Sequence, residues 1–85
     1  MPAWESFKTS LDEYHPWPCI YTFKFIVPSS QVARVFRLLD GHRVRTRDST
    51  GGKYVSFTAH VPVDSSDDVI AFYQSASQID GLIAL

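Results

Sequence analysis

Three arginines stand at alternate positions, Arg43, Arg45 and Arg47, and small or hydroxylated residues follow: Ser49, Thr50, Gly51 and Gly52, then Lys53, Tyr54 and Ser56. A guanidinium is a planar, permanently charged fork that meets carboxylate or phosphate through two parallel hydrogen bonds. Alternation along an extended chain sends all three to one side. Beside hydroxyls and His60, such a row can hold an anion: a carboxylate, a phosphate or a nucleic-acid backbone. The row also has a plainer role, because charge on an edge strand keeps sheets from pairing with one another. Both readings stand on the residues alone. The candidate ligand-binding residues are Arg43, Arg45, Arg47, Ser49, Gly52, Tyr54 and Ser56.

Catalytic and metal chemistry find less material. His15, His42 and His60 fall on three different elements without metal-ligand spacing. Most of the acids flank turns or helix starts. Ser49 to Lys53 has the look of a phosphate loop but lacks its four-residue gap and its Gly-Lys-Ser/Thr ending. It also joins two strands and so offers no helix N-terminus. No nucleophile-elbow motif is present. The lone Cys19 allows no intramolecular disulfide and no cysteine-based zinc site, and it suits a reducing compartment. The expectation is a protein that is not an enzyme, with no catalytic residue, metal or cofactor.

The chain has 85 residues, enough for one small domain. Eight Lys and Arg against nine Asp and Glu give a net charge of -1, so no global field draws the whole molecule to nucleic acid or membrane. The charge is nevertheless uneven, because six of the eight basic residues lie between Arg34 and Lys53. No stretch approaches the roughly 18 apolar residues of a membrane span. The start of the chain, with Glu5, Asp12 and Glu13, has no signal-peptide core. A cytoplasmic location is expected.

The elements that carry these residues follow from periodicity. Trp4, Phe7, Leu11 and Tyr14 make one stripe of a short helix over 3–14, with Pro2 at its start and Pro16 beyond its end. Cys19 to Val27 is a strand with Tyr21, Phe23, Phe25 and Val27 on its core face. Its other face carries Ile20, Thr22, Lys24 and Ile26. Ser29 or Ser30 is placed to cap a helix whose buried stripe is Val32, Val35, Phe36 and Leu39, closed by Gly41. Arg43 to Arg47 is a strand, 49–52 a hairpin turn, and Lys53 to Val61 the returning strand, which Pro62 ends. On that strand Val55, Phe57, Ala59 and Val61 point inward, and Tyr54, Ser56, Thr58 and His60 outward. Ser65 with Asp68 matches a capping box for a helix with Val69, Phe72, Tyr73, Ala76 and Ile79 on its stripe. Leu82 to Leu85 is a final strand. Phe23, Phe25, Val35, Phe36, Leu39, Phe57, Phe72 and Ile79 are the expected core.

The order is a helix followed by β-α-β-β-α-β. Right-handed crossovers then lead to an antiparallel sheet in spatial order 4-1-3-2 with both long helices on one face, the ferredoxin-like α+β fold. The organisation expected is an N-terminal helical extension, 1–16, and a ferredoxin-like domain, 17–85.

Two segments carry a resemblance. Trp17-Pro18 through Lys24 resembles the aromatic-Pro opening of the YbeD-like family. Ser49-Thr50-Gly51-Gly52-Lys53-Tyr54-Val55-Ser56 is similar to that family's Ser-x-x-Gly-x-Tyr-x-Ser hairpin. The resemblance covers residues 17–85. It implies a small bacterial protein of ferredoxin-like fold, similar in shape to ACT-type regulatory domains. Some members carry a name tied to lipoic acid-binding regulation, which nothing in these residues shows. Val27, where the family often has Gly, and the extension with Trp4 and Phe7 depart from the pattern. The family brings no catalytic residues, and Ser49, Gly52, Tyr54 and Ser56 carry over only as its hairpin motif.

The resulting expectation is a non-enzymatic, ACT-like regulatory or interaction domain acting through its sheet face. Its partners would be another protein, a second copy or a small anion, with no membrane. An RNA-recognition module is the rival, disfavoured because Tyr54 alone among the outward residues of the central strands is aromatic, and a small enzyme without a recognisable motif is the remaining alternative. A second copy would dock on the last strand or the N-terminal helix, because paired arginine rows repel.

Overall fold

The computed structural model describes residues 4–49 and 51–85. Pro2 and Ala3, expected at the first helical turn, and Thr50 of the hairpin lie outside the described residues. The order is α1 (Trp4–Tyr14), β1 (Cys19–Pro28), a single 3-10 turn (Ser29–Gln31), α2 (Val32–Leu38), β2 (Arg43–Asp48), β3 (Tyr54–Val63), α3 (Ser66–Ala76) and β4 (Ile83–Ala84). The four strands form one antiparallel sheet in the order β2-β3-β1-β4, the ferredoxin-like arrangement expected from the element order.

Alternation sorts the side chains as it should. Phe23, Phe25 and Val27 of β1 and Val55, Phe57, Ala59, Val61 and Val63 of β3 are buried, together with Val35, Leu39, Val69, Ala76 and Ile79 from the helix side. Tyr73 closes the layer, its ring 5.2 Å from that of Phe23 and its hydroxyl 3.3 Å from that of Tyr21. Burial first, then the Tyr21 hydroxyl, pushes the Tyr73 phenol well above its ordinary value.

α1 belongs to this helix layer and packs along α3. Leu11 is buried, and Phe7 meets Tyr73 edge-on at 5.5 Å. Lys8 Nζ donates to Ser66 Oγ and to Asp67 Oδ1, both at 2.9 Å. The Trp17 indole donates to Asp12 at 2.9 Å. Because α1 covers a second side of α3, Ile70 is buried although it lies off the stripe read from the sequence. The three helices of the described residues therefore sit on one face of the sheet, and the opposite face carries none of them.

Five expectations are corrected. Phe36 is 48% exposed: it flanks the stripe of a seven-residue helix and reaches past the core to the rim, edge-on to Phe57 at 5.1 Å. Tyr14 is 79% exposed, because α3 begins at Ser66, opposite Lys8, and leaves the last turn of α1 nothing to cover. Neither Ser29 nor Ser30 caps α2. Gln31 occupies that position without a side-chain bond, while Ser29 donates from its hydroxyl to the Gly52 carbonyl and from its backbone to Lys53 O at 2.9 Å. The capping box of α3 is not made as expected: Ser65 makes no side-chain cap, and Asp68 accepts from the Asp64 backbone at 2.9 Å. Pro62 does not end β3, which continues to Val63 opposite Cys19. β2 stops opposite His60, so residues 61–63 have a strand on one side only, the setting in which a strand tolerates proline.

Candidate anion-binding face

The helix-free face is built by register. Arg43 lies beside His60, Arg45 beside Thr58 and Arg47 beside Ser56. His60, Thr58 and Ser56 lie in turn beside Thr22, Lys24 and Ile26. Lys24 therefore stands in the same transverse row as Arg45, two strands away. Four cations, Arg43, Arg45, Arg47 and Lys24, share this face, and all are exposed. Successive arginines are separated by two strand residues, roughly 6.7 Å. The one ion pair among the described residues, Lys8–Asp67, is on the helix side, so no carboxylate neutralises the row.

The hydroxyls have other duties. Ser49 exchanges backbone bonds across the hairpin, donating to Tyr54 O at 2.9 Å and accepting from Gly52 at 3.0 Å. Its Oγ accepts from Tyr54 N at 3.1 Å. Ser56 donates to Arg47 O at 3.3 Å. Gly52 holds φ +69°, where a side chain would be strained, and its carbonyl accepts from Ser29. These residues shape the hairpin and fasten it to the end of β1. Thr22 Oγ1 and His60 Nδ1 lie 3.0 Å apart on the exposed surface.

The structure divides the sequence-predicted site in two. Arg47, Ser49, Tyr54 and Ser56 meet around a hollow of about 260 Å³ that Ile26 and Asp48 complete. Arg43 and Arg45 lie further along the row, and Gly52 does not line the hollow. Asp48, absent from the sequence-based set, also borders this end, but the register sets it beside buried Val55, on the side of β2 away from the arginines. In the middle of the face, the residues beside Arg45, Lys24 and Arg43 include no acid among the described residues. Lys24 was legible from the alternation of β1, but only the pairing of β1 with β3 aligns it with Arg45.

The remaining residues singled out by chemistry lie apart. His15 packs against Trp17 and Tyr21, and His42 against Phe72. Cys19 is a half-buried free thiol at the start of β1. The apolar groove of about 310 Å³ lined by Trp4, Phe7, Tyr73 and Leu82 is on the helix side, away from the arginines. No helix among the described residues is long and apolar enough to cross a membrane.

The family described as "Protein of unknown function (DUF493)" matches residues 12–85. A UPF0250 protein of Shewanella amazonensis is 30% identical over 81 residues, covering 87% of this chain and 92% of that protein. No solved structure matches the chain significantly.

Proposed function

The chain belongs to the DUF493 family, which includes the YbeD-like proteins, and from that premise we propose that it is a non-catalytic binding domain whose helix-free sheet face takes an anionic group. One observation carries this reading: Arg43, Arg45, Arg47 and Lys24 share a face on which no carboxylate pairs with them among the described residues. The Ser56 hydroxyl is donated to hairpin backbone, and the four cations give this face its main means of meeting a ligand. Anion binding here would serve regulation or interaction, the use to which domains of ACT-like shape are put. The free thiol of Cys19 suits a cytoplasmic setting.

Nucleic acid is the weaker occupant. RNA-recognition sheets stack bases on outward aromatics of the central strands, and each stacked base is worth about 1–3 kcal/mol. On β1 and β3 the outward positions hold Tyr54 at one end and otherwise Ile20, Thr22, Lys24, Ile26, Ser56, Thr58 and His60.

Titration of the isotopically labelled protein with citrate tests the proposal. Resonances of β2 and of Lys24 should shift, the effect should shrink as salt screens the charges, and Arg45→Glu should remove it. Citrate shifts that survive Arg45→Glu would place the anion elsewhere.

A further inference from the structure

We propose that the free edge of β2 is a docking site for an extended acidic segment of another protein. That segment carries carboxylates at alternate positions with apolar residues between them, and it adds to the sheet as a fifth strand. The inference rests on the anionic reading of this face and names the occupant.

The strand order leaves β2 at the edge, paired to β3 alone among the described residues. Its backbone polarity can be assigned from the hairpin. Ser49 N donates to Tyr54 O, a backbone bond between directly opposite residues, and Arg47 O faces β3, where it accepts from the Ser56 hydroxyl. In an antiparallel ladder, bonded and non-bonded residues alternate. Arg43, Arg45 and Arg47 thus direct their backbone groups toward β3, and Val44 and Thr46 direct theirs outward. The edge offers unpaired backbone donors and acceptors, which a peptide can satisfy and a small anion cannot.

Side-chain pitch then selects the peptide. An added strand repeats every two residues at the same roughly 6.7 Å as the arginine row. Carboxylates at alternate positions therefore fall beside Arg43, Arg45 and Arg47 in turn. The intervening residues fall on the helix side, against half-buried Val44 and exposed Thr46. There Phe36, 48% exposed, stands over Phe57, the β3 partner of Thr46. The half-exposed ring at the rim of the core, which its own domain leaves uncovered, thus gains a neighbour. The arginine row that repels a second copy of β2 attracts an acidic strand, so one feature excludes the wrong partner and selects the right one.

The test uses a short capped peptide of alternating Glu and Val or Thr, with citrate and an oligo-uridylate as comparison probes, on the full chain. The peptide should bind and slow hydrogen exchange at the Val44 and Thr46 amides, whereas citrate should leave their exchange unchanged. Arg45→Glu should weaken peptide binding by about tenfold or more, and a peptide with Lys at its central acidic position should recover it. Arg45 is exposed, so the variant folds, and the recovery shows that it has. Peptide binding without slower exchange at Val44 and Thr46 would overturn strand addition and leave the anionic face standing. If no anion, citrate included, moves a resonance of β2, the proposed function fails and this inference with it. Tighter binding of oligo-uridylate than of peptide would assign the face to nucleic acid and overturn the proposal.

Discussion

A pair of glycine substitutions measures how β4 is held against the sheet. Gly41 and Gly81 both have positive φ, +81° and +76°. A Cβ at Gly41 would meet nothing within 4 Å, whereas one at Gly81 would lie 2.8 Å from Pro28 Cγ and 3.1 Å from Cδ. Alanine at either position incurs the left-handed penalty of about 1–2 kcal/mol, of which about 0.4–1 kcal/mol is offset by a less flexible unfolded chain. Gly41→Ala should thus destabilise by about 1 kcal/mol. At Gly81 the obstacle is a closed ring in β1, with no rotamer by which to swing away. Overpacking of that kind costs about 1–3 kcal/mol more, for a total of about 2–4 kcal/mol. An 85-residue domain has about 4–13 kcal/mol in hand, so both variants should fold. In thermal melts, where 1 kcal/mol is about 4–8 °C at this size, Gly81→Ala should fall roughly 10–30 °C and Gly41→Ala about 4–8 °C. Equal losses would mean that Pro28 does not cover Gly81. The approach of the chain to β4, and with it the pairing of Ile83 and Ala84 to β1, would then be wrong.

Phe57→Ala should cost about 3–5 kcal/mol in urea unfolding, because the ring is fully buried between the helix layer and the sheet. Phe36→Ser should cost far less in the same assay, and equal costs would contradict the exposure of Phe36. Asp12 has its pKa lowered, first by the Ser66 hydroxyl and also by the Trp17 indole. A lowered native pKa means that its contribution is present above the ordinary value of 3.8 and is lost as pH falls below it. Melting temperatures at neutral and acid pH should therefore fall less in Asp12→Asn than in the parent chain, and parallel falls would remove Asp12 from the attachment of α1. Oligo-uridylate should show no binding at physiological salt. A sub-micromolar affinity that Tyr54→Ala weakens by about 1–3 kcal/mol would reverse the ranking of peptide over RNA.

What the sequence determined by itself was local and periodic. Alternation through Tyr21, Phe23, Phe25 and Val27, and again through Val55, Phe57, Ala59 and Val61, separated the buried from the open face before any strand was paired. The order of elements between Pro and Gly boundaries then left the β2-β3-β1-β4 sheet as the compact solution. The same alternation put three arginines on the open face. What it could not supply was distance between elements. Phe36 has the period of a core residue, yet its burial depends on what lies beyond the rim of β2, and its own domain places nothing there. Ile70 was unreadable for the opposite reason: a period finds one stripe, whereas a helix held between a sheet and a second helix buries two. Ser29 has the type and place of a cap, and its hydroxyl went to the Gly52 carbonyl because the fold brings the hairpin beside it. Lys24 joined Arg45, and Ile26 met Arg47 across Ser56, through the register of β1, β3 and β2. Residue types follow from the chain one position at a time, but a field of charge is a sum over neighbours, and only the folded sheet decides which charges are neighbours.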